Sequence, residues 1–288
     1  MEITFEYWYM LPISILIATI AMSSGIGGAV FFSPLLMIGL KLEPGTAIGI
    51  ALATELFGFS SGLYAYAKAK LIDYALGKKL LLFSVPFAIL GTIYGKEVPP
   101  DVLKTIFATG IIFIGYQLYT SWRTEEREKA EASNAKEFET EFESQLTDGA
   151  GKVYQYTVCN KGMGRMFASI GGAFLGMISV GLAELQEYHL VAKCKVPTPV
   201  AVATSIFVVV ITVLVASVGH FYEFIFHSSP ATLTQVVNVV IFSIPGVVIG
   251  GQIGPKLQKA IPADTMKIAI SILFVVIGIF MLTTLIVK

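Results

Sequence analysis

The chain contains several apolar stretches of about 20 residues, and this feature limits its possible folds more than any other. A helix of that length crosses the roughly 30 Å hydrocarbon core of a bilayer, where only helices and closed barrels satisfy their own backbone groups. Charged residues make up 14% of the chain, against about 25% in soluble domains. We therefore predict an all-α polytopic membrane protein. The stretches lie at 46–67, 80–95, 102–122, 200–218, 233–254 and 266–287.

Two parts of the chain repeat each other. The motif Phe-Ser-Val-Pro at 83–86 is followed by Gly91 and Gly95, and Phe-Ser-Ile-Pro at 242–245 is followed by Gly250 and Gly254 at the same offsets. Many transporters build a central site between two related halves. This duplication predicts two homologous repeats and favours a transporter.

Two further apolar stretches, 11–40 and 166–192, are longer than one span and are interrupted near the middle. Each is either a broken, tilted span or a re-entrant hairpin that enters and leaves on one side. If both are re-entrant, sixteen of the twenty Lys and Arg residues fall on one face, as the positive-inside rule requires. The re-entrant interpretation leaves three full crossings per half, which makes the second repeat inverted relative to the first.

This interpretation divides the chain into a first membrane repeat at 1–122, a polar linker at 123–165 and a second membrane repeat at 166–288. The linker carries a dense run of charges, and alternating residues at 152–158 indicate a short strand or hairpin. We expect a multi-pass protein of the plasma (inner) membrane, with the linker cytoplasmic and both termini outside. Its oligomeric state is left open.

The first interruption is a candidate anion site. Glycines let a ligand approach main-chain N–H groups closely, and the half-helix that follows would point its positive end into the gap. Helix packing is the competing structural explanation, because small residues are common at membrane helix contacts. The candidate substrate-binding residues here are Ser24, Gly25, Gly27, Gly28, Ala29 and Ser33.

The second interruption differs from the first because acidic side chains follow it. Ser179 and Gly181 occupy the break and are candidate substrate-binding residues, and Glu184 and Glu187 follow on one helical face. A carboxylate within a membrane is costly and marks an ion path, a proton relay or a buried pair by default. We therefore name both acids as candidate proton-coupling groups, although Glu187 also fits a position at the membrane interface near Lys193.

The spans that follow the two breaks supply further candidates. Glu55 interrupts the first of them and is the third intramembrane carboxylate, with either a coupling role or a structural hydrogen bond to the broken hairpin. In the matching span, Thr204 and Ser205 are candidate hydroxyl donors to a bound anion.

The sequence shows no pattern for catalysis, metal or cofactor binding, and nothing that favours a nucleic acid partner. It lacks a P-loop, a zinc signature and a catalytic triad pattern, so we expect a protein that is not an enzyme and has no cofactor. With only Cys159 and Cys194, we expect no disulfide framework and two incidental thiols.

The two breaks together resemble the TauE/SafE family of membrane permeases, often called sulfite exporters. The resemblance is carried by Gly-Ile-Gly-Gly at 25–28 followed by Ser-Pro at 33–34, and by Ser-Val-Gly at 179–181 followed by Ala-Val-Ala-Thr-Ser at 201–205. It covers both halves. Ala29 and Leu182 replace glycines of the common family pattern.

The resemblance implies a permease for small sulfur-containing anions such as sulfite, thiosulfate or organosulfonates. Combined with the acidic residues, it leads us to expect proton-coupled secondary transport within the lipid bilayer. The alternatives are a passive anion channel and a membrane-embedded, thiol-dependent sulfur carrier or enzyme that uses the cysteines.

Overall fold

The computed structural model describes residues 4–24, 26–132, 143–226, 229–257 and 263–286, and these ranges are predominantly helical. The first half contains α1 (Met10–Ser24), α2 (Ala29–Pro34), α3 (Pro44–Lys68), α4 (Tyr74–Gly95) and α5 (Pro100–Ala132). A hairpin of β1 (Ser144–Thr147) and β2 (Val153–Tyr156) follows. The second half contains α6 (Lys161–Ile178), α7 (Leu182–Glu187), α8 (Thr198–Phe226), α9 (Pro230–Leu257) and α10 (Ala263–Ile286).

The two halves have the same order of elements. In each, a helix leads to a short helix that continues as a π-helical segment, and three long helices follow. The π-helical segments are Leu35–Gly39 and Tyr188–Lys193. Each break of the sequence therefore separates a helix from a short half-helix, as its glycines and serines predicted.

Helix α1 packs along α9, and the two run in the same direction. Gly246 lies against Ser14, and two turns later Gly254 lies against Met22. Glycine is needed at these positions because added Cβ atoms would approach Ser14 and Met22 side-chain carbons to within 2.7 Å and 2.5 Å. Small residues of this kind let membrane helices approach closely.

Helix α3 also runs parallel to α9, which decides the course of the first long apolar stretch. Gly58 lies against Val247, and Ser61 lies against Gly251 and donates a hydrogen bond to the Val248 carbonyl. Since α1 and α3 have the same direction, the chain between them must return to the side where α1 began. The described parts of the 11–40 stretch therefore follow the course expected of a re-entrant hairpin, with both ends on one side.

The second long stretch follows the same course, because α6 and α8 both run parallel to α4. The contacts advance along the three helices together: Ser84 with Gly172 and Thr212, and Thr92 with Gly176 and Gly219. The segment that contains α7 therefore returns toward the linker.

Within the described ranges, five helices are long and apolar enough to cross a membrane: α3, α4, the first part of α5, α8 and α9. Residues 268–284 of α10 form a shorter apolar helix. Helices α3 and α8 are mostly buried, whereas fewer than half of the residues in the spans of α4, α5 and α9 are buried, and large apolar side chains such as Leu82 and Phe113 are exposed. Exposed apolar side chains on spans of this length face lipid. Helices α3 and α8 consequently form the centre of the molecule.

The linker region contains the strand expected at 152–158, which is present as β2 and pairs antiparallel with β1. Helix α5 continues to Ala132, beyond the predicted end of the first repeat at 122, and α6 begins at Lys161 rather than at 166. Amphipathic charge runs of this kind are compatible with a solvated helix.

The expectation of two incidental thiols is wrong, because Cys159 and Cys194 form a disulfide with their Cα atoms 5.0 Å apart. Cys159 follows β2, and Cys194 follows the second π-helical segment. An apolar cluster that includes Tyr156, Leu190 and Val196 holds these two segments together. The pairing depends on this long-range contact, so the 35-residue spacing did not reveal it.

Candidate functional site

The tips of the two re-entrant hairpins meet in the interior. The main-chain nitrogen of Gly27, in the first break, donates a hydrogen bond of 3.0 Å to Glu184 Oε1, at the second break. The hydroxyl groups of Ser33 and Ser179 lie 2.9 Å apart. The structure thus brings together residues that are about 150 positions apart in the sequence, and both breaks contribute to one buried site.

The Glu184 carboxylate binds backbone N–H groups from both breaks. Besides the Gly27 bond, Glu184 Oε2 accepts a 3.0 Å hydrogen bond from the Gly181 nitrogen, and the carboxylate caps the start of α7 as the acid of a capping box. Gly181 has φ of 111°, a conformation that favours glycine. Glu184 is 4% exposed, so its charge is placed at the positive end of a helix and away from bulk water.

The Glu55 carboxylate takes the corresponding position at the start of α2. It accepts hydrogen bonds from the backbone of Gly28 and Ala29. Its Oε2 atom is buried and has no hydrogen-bond partner among the described residues. Each half-helix therefore has an acidic side chain at its N-terminal end, and Glu55 hydrogen-bonds the broken hairpin.

Gly27 lies between the two acids. A Cβ atom built at this position would lie 2.9 Å from Glu55 Oε1 and 3.2 Å from Glu184 Oε1. No side chain fits there without displacing a carboxylate. The absence of a side chain at residue 27 is thus what allows two carboxylates and a main-chain N–H group to share one small volume.

Ser33 and Ser179 connect the two hairpins through their hydroxyl groups. Ser179 Oγ donates to the Ile178 carbonyl at 2.6 Å, so the Ser33 hydroxyl is the donor in the bond between them. Both side chains are buried. This pair lies on the same two breaks as Gly27 and Glu184 and extends the polar site between α2 and α6.

The remaining predicted residues differ in their position. Gly25 lies outside the described residues. Ser24 donates to the Ala21 carbonyl and lines a large cavity. Thr204 is directed elsewhere, because its hydroxyl accepts a 3.0 Å hydrogen bond from the Asp73 nitrogen before α4. Ser205 is buried, and its hydroxyl has no partner among the described residues.

A cavity of about 900 Å³, which we call the vestibule, leads from the linker side to the first break. Ser23, Ser24 and Ile26 form its inner end, and the Glu187 side chain contributes to its wall. Glu187 is 6% exposed. It belongs to the buried wall of the vestibule.

The outer part of the vestibule carries charges of both signs and is partly covered by the hairpin. Lys68 and Lys256, at the ends of α3 and α9, line it together with Asp148 and Tyr154 of the hairpin. Both lysines are exposed. The charged residues that line the vestibule are thus Lys68 and Lys256 on one side of the balance and Asp148 and Glu187 on the other.

Asp73 was missed by the sequence analysis although it organises this side of the molecule. Its Oδ1 accepts the Leu76 N–H group and caps α4, and its Oδ2 accepts a 2.8 Å hydrogen bond from the Tyr156 hydroxyl. An Asp directly before an apolar helix is an N-cap signal. The partnership with Tyr156, by contrast, has no sequence signal.

The comparison with known families decides the classification of the chain. Residues 10–281 match the family model described as "Sulfite exporter TauE/SafE". The chain belongs to the TauE/SafE family. The resemblance found in the two breaks is therefore confirmed over nearly the whole sequence.

Two curated relatives of this TauE/SafE protein are similar along their full length. It is 23% identical to "Probable membrane transporter protein YunE" of Bacillus subtilis (strain 168), over 93% of this chain and 94% of the relative. It is 22% identical to "Probable membrane transporter protein MJ0441" of Methanocaldococcus jannaschii, over 98% of both chains. No solved structure matches the chain.

Family, relatives and apolar helices together make this TauE/SafE member a multi-pass membrane transporter. Its partners are accordingly the lipid bilayer and a small-molecule substrate. Among the described residues, no group of His, Cys, Asp and Glu side chains is arranged to hold a metal ion.

Proposed function

We propose that this TauE/SafE protein is a proton-coupled permease for small sulfur-containing anions such as sulfite, thiosulfate or organosulfonates. The observation that carries the proposal is the position of the Glu184 carboxylate on the N–H groups of Gly27 and Gly181. Backbone N–H groups at helix starts bind anions, and here an internal anion occupies them. The substrate and the carboxylate compete for the same donors.

This competition supplies a coupling mechanism. Protonation removes the charge of Glu184 and weakens its hydrogen bonds, since bonds to ionised acceptors are roughly twice as strong as neutral ones. A substrate oxyanion then takes the N–H groups of Gly27 and Gly181. When Glu184 loses its proton, the carboxylate returns to these donors and expels the anion. Proton and anion therefore bind together and leave together.

Other polar side chains near the two breaks support the same cycle. The Glu55 carboxylate repels a second negative charge at Gly27, so it also favours a proton when substrate is bound. Its Oε2 atom, which has no partner among the described residues, is a suitable place for that proton. The hydroxyls of Ser33 and Ser179 belong to the same two breaks and would donate to substrate oxygens after their mutual bond opens. We assign Glu187 to proton exchange with the vestibule.

We further propose that the halves are inverted repeats that alternate the access to this site. The parallel course of α1, α3 and α9, and that of α6, α4 and α8, support the proposal. Helices α3 and α4 are joined by a short loop and so run in opposite directions, which gives the equivalent helices α4 and α9 opposite directions. In such transporters one repeat moves against the other around a fixed central site.

The vestibule supports a substrate route from the linker side. With the linker in the cytoplasm and the termini outside, as the charge distribution favours, the structure corresponds to a state open toward the cytoplasm. Lys68 and Lys256 would attract the anion to the vestibule, and Ser24 lies where the vestibule reaches the first break.

Different observations bear on the passive channel and on the thiol-dependent carrier. A passive channel needs a continuous pore, whereas the vestibule ends at the paired breaks. A carrier that depends on free thiols needs reduced cysteines, whereas both cysteines of the chain are joined in a disulfide. We therefore retain the channel as the competing function and disfavour the thiol carrier.

Flux of sulfite in proteoliposomes, with and without an imposed pH gradient, tests the proposal. We expect the gradient to drive sulfite against its own concentration gradient, and thiosulfate or a sulfonate to compete. Sulfite flux that no pH gradient moves uphill would indicate a channel. Absence of flux for all three anions would reject the substrate class.

A further inference from the structure

The disulfide between Cys159 and Cys194 joins two functional parts of the molecule that the transport mechanism does not otherwise connect. Cys159 ends the hairpin segment, which forms part of the vestibule wall. Cys194 directly follows the π-helical segment of the second re-entrant hairpin, whose α7 carries Glu184 and Glu187. A covalent bond here ties the cover of the vestibule to the element that holds the central carboxylates.

Besides the disulfide, the described residues attach the hairpin through the apolar cluster around Tyr156, through an ion pair of Lys161 with Glu143 and through two hydrogen bonds. The Gly149 nitrogen donates to the Ala69 carbonyl at 2.8 Å, and the Tyr156 hydroxyl donates to Asp73 at 2.8 Å. The turn itself is well formed, because Asp148 Oδ1 accepts the N–H groups of Ala150 and Lys152. The hairpin is thus a preformed unit held by these contacts, and the disulfide adds a covalent cross-link between it and the end of the second π-helical segment.

The surroundings of the cysteines suit thiol chemistry. Both residues are partly exposed, so a small reductant can reach the sulfur atoms. The Nε2 atom of His189 lies 3.7 Å from the Cys194 sulfur. A neighbouring imidazole accepts the proton of a thiol and thereby produces the thiolate that exchanges with disulfides.

The proposed orientation, with the linker in the cytoplasm, puts this pair on the cytoplasmic face, where disulfides are mostly transient and redox-sensing. We propose that Cys159 and Cys194 are a site of reversible thiol–disulfide exchange with a dithiol reductant, and that the oxidised pair fastens the hairpin over the vestibule. The consequence for transport rests on the proposed function, whereas the exchange and the release of the hairpin do not.

The exchange is a two-electron reaction. A thiolate of the reductant attacks one cysteine sulfur, the bond between Cys159 and Cys194 breaks, and a mixed disulfide forms while the other cysteine leaves as a thiolate and takes up a proton. The second thiol of the reductant then attacks the mixed disulfide. Both cysteines end as thiols, and the reductant leaves as a disulfide.

Alkylation of a cysteine placed in the vestibule tests the release of the hairpin without any transport assay. Ala65→Cys adds a reporter thiol to the vestibule wall, and Glu97→Cys places a matched reporter on the exposed opposite face. Each is made with the native pair and with Cys159→Ser/Cys194→Ser. Peptide mass spectrometry then follows the labelling rate of the reporter before and after treatment with dithiothreitol.

We expect labelling at residue 65 to be several-fold faster after reduction and in the double serine variant, and labelling at residue 97 to stay constant. Dithiothreitol should have no effect on residue 65 in the double serine variant. A native pair that is alkylated before any reduction, or equal labelling of residue 65 in the oxidised and reduced protein, overturns the proposal. Redox-dependent labelling in a protein without anion flux would support the fastening of the hairpin by the disulfide and reject only the proposed transport function.

Discussion

The Gly27 nitrogen and the Glu184 carboxylate are joined by a 3.0 Å hydrogen bond across 157 positions of sequence. This bond places an acidic side chain on a backbone donor of the opposite re-entrant hairpin, at the point where both helix starts converge. The protonation state of Glu184 therefore affects the contact between the two halves.

Glu184→Gln tests this relationship most directly. Glutamine keeps the shape and one acceptor oxygen but carries no exchangeable charge, so the competition with the substrate anion no longer depends on pH. Hydrogen bonds to charged groups contribute about 1.5–3 kcal/mol, and we expect gradient-driven sulfite flux to fall by about tenfold or more. Flux at several pH values in proteoliposomes measures the effect, with Glu97→Gln on the exposed opposite face as control. Retention of the normal pH dependence would show that Glu184 is not the coupling group.

Gly27→Ala should disrupt the site by steric means. The added Cβ would lie 2.9 Å from Glu55 Oε1 and 3.2 Å from Glu184 Oε1, and overpacking of this kind costs about 1–3 kcal/mol. We expect a lower unfolding temperature in detergent and loss of flux. Gly45→Ala is the matched control, because nothing lies within 4 Å of its added Cβ. Equal behaviour of the two variants would mean that residue 27 tolerates a side chain and that the carboxylates are not confined as described.

The pair of Ser33 and Ser179 is suited to a double-mutant cycle. Each alanine variant removes the hydrogen bond between the two hydroxyls, although Ser179 keeps its bond to the Ile178 carbonyl. A neutral hydrogen bond contributes about 1 kcal/mol. We expect each single variant to lower the free energy of unfolding and the double variant to cost less than the sum, because neighbouring residues couple. Chemical denaturation in detergent measures the coupling. Additive effects would indicate that the hydroxyls do not interact.

Lys68→Gln with Lys256→Gln should slow the entry of anions. The two charges lie at the vestibule, and exposed charges act on diffusing ligands over about one Debye length. We expect a higher KM for sulfite with little change in maximal flux, and a difference from the native protein that shrinks at high salt. Lys41→Gln, an exposed position at the opposite end of α3, is the control. A loss in maximal flux that is independent of salt would assign the lysines a structural role.

Tyr156→Phe should loosen the hairpin. The native hydroxyl donates to Asp73 at 2.8 Å, and burial raises the pKa of Tyr156, with the Asp73 charge acting in the same direction. A raised pKa means that the hydrogen-bonded, protonated form is present below the ordinary tyrosine pKa and is lost only in strong alkali, so the bond is constant across neutral pH. We expect faster proteolysis at the hairpin at pH 6 and at pH 8 alike. Tyr116→Phe, on an exposed tyrosine, should leave the cleavage rate unchanged.

Several local features were predictable because they depend on residues that are close together in sequence. The apolar stretches predicted the long helices, the glycine and serine clusters predicted the two interruptions, and alternation at 152–158 predicted β2. The three acids Glu55, Glu184 and Glu187 were found because a carboxylate in an apolar stretch is conspicuous. All three are buried.

Other features were not predictable because each joins distant positions. The sequence suggested open N–H groups at the breaks, whereas Glu184 and Glu55 occupy those of Gly27, Gly28 and Gly181. Thr204 was matched to the breaks by its place in the repeat but hydrogen-bonds Asp73.

By itself, the sequence determined that this protein is helical, lies in a membrane and has two interrupted segments, because hydrophobicity and backbone propensity act over a few helical turns. Only the tertiary structure decided that the interruptions meet, that Gly27 separates two carboxylates and that Cys159 bonds to Cys194. These contacts arise from helix packing between the halves. Helices approach closely at small residues, and this approach determines which side chains become neighbours. The pattern of residues along the chain does not show these contacts.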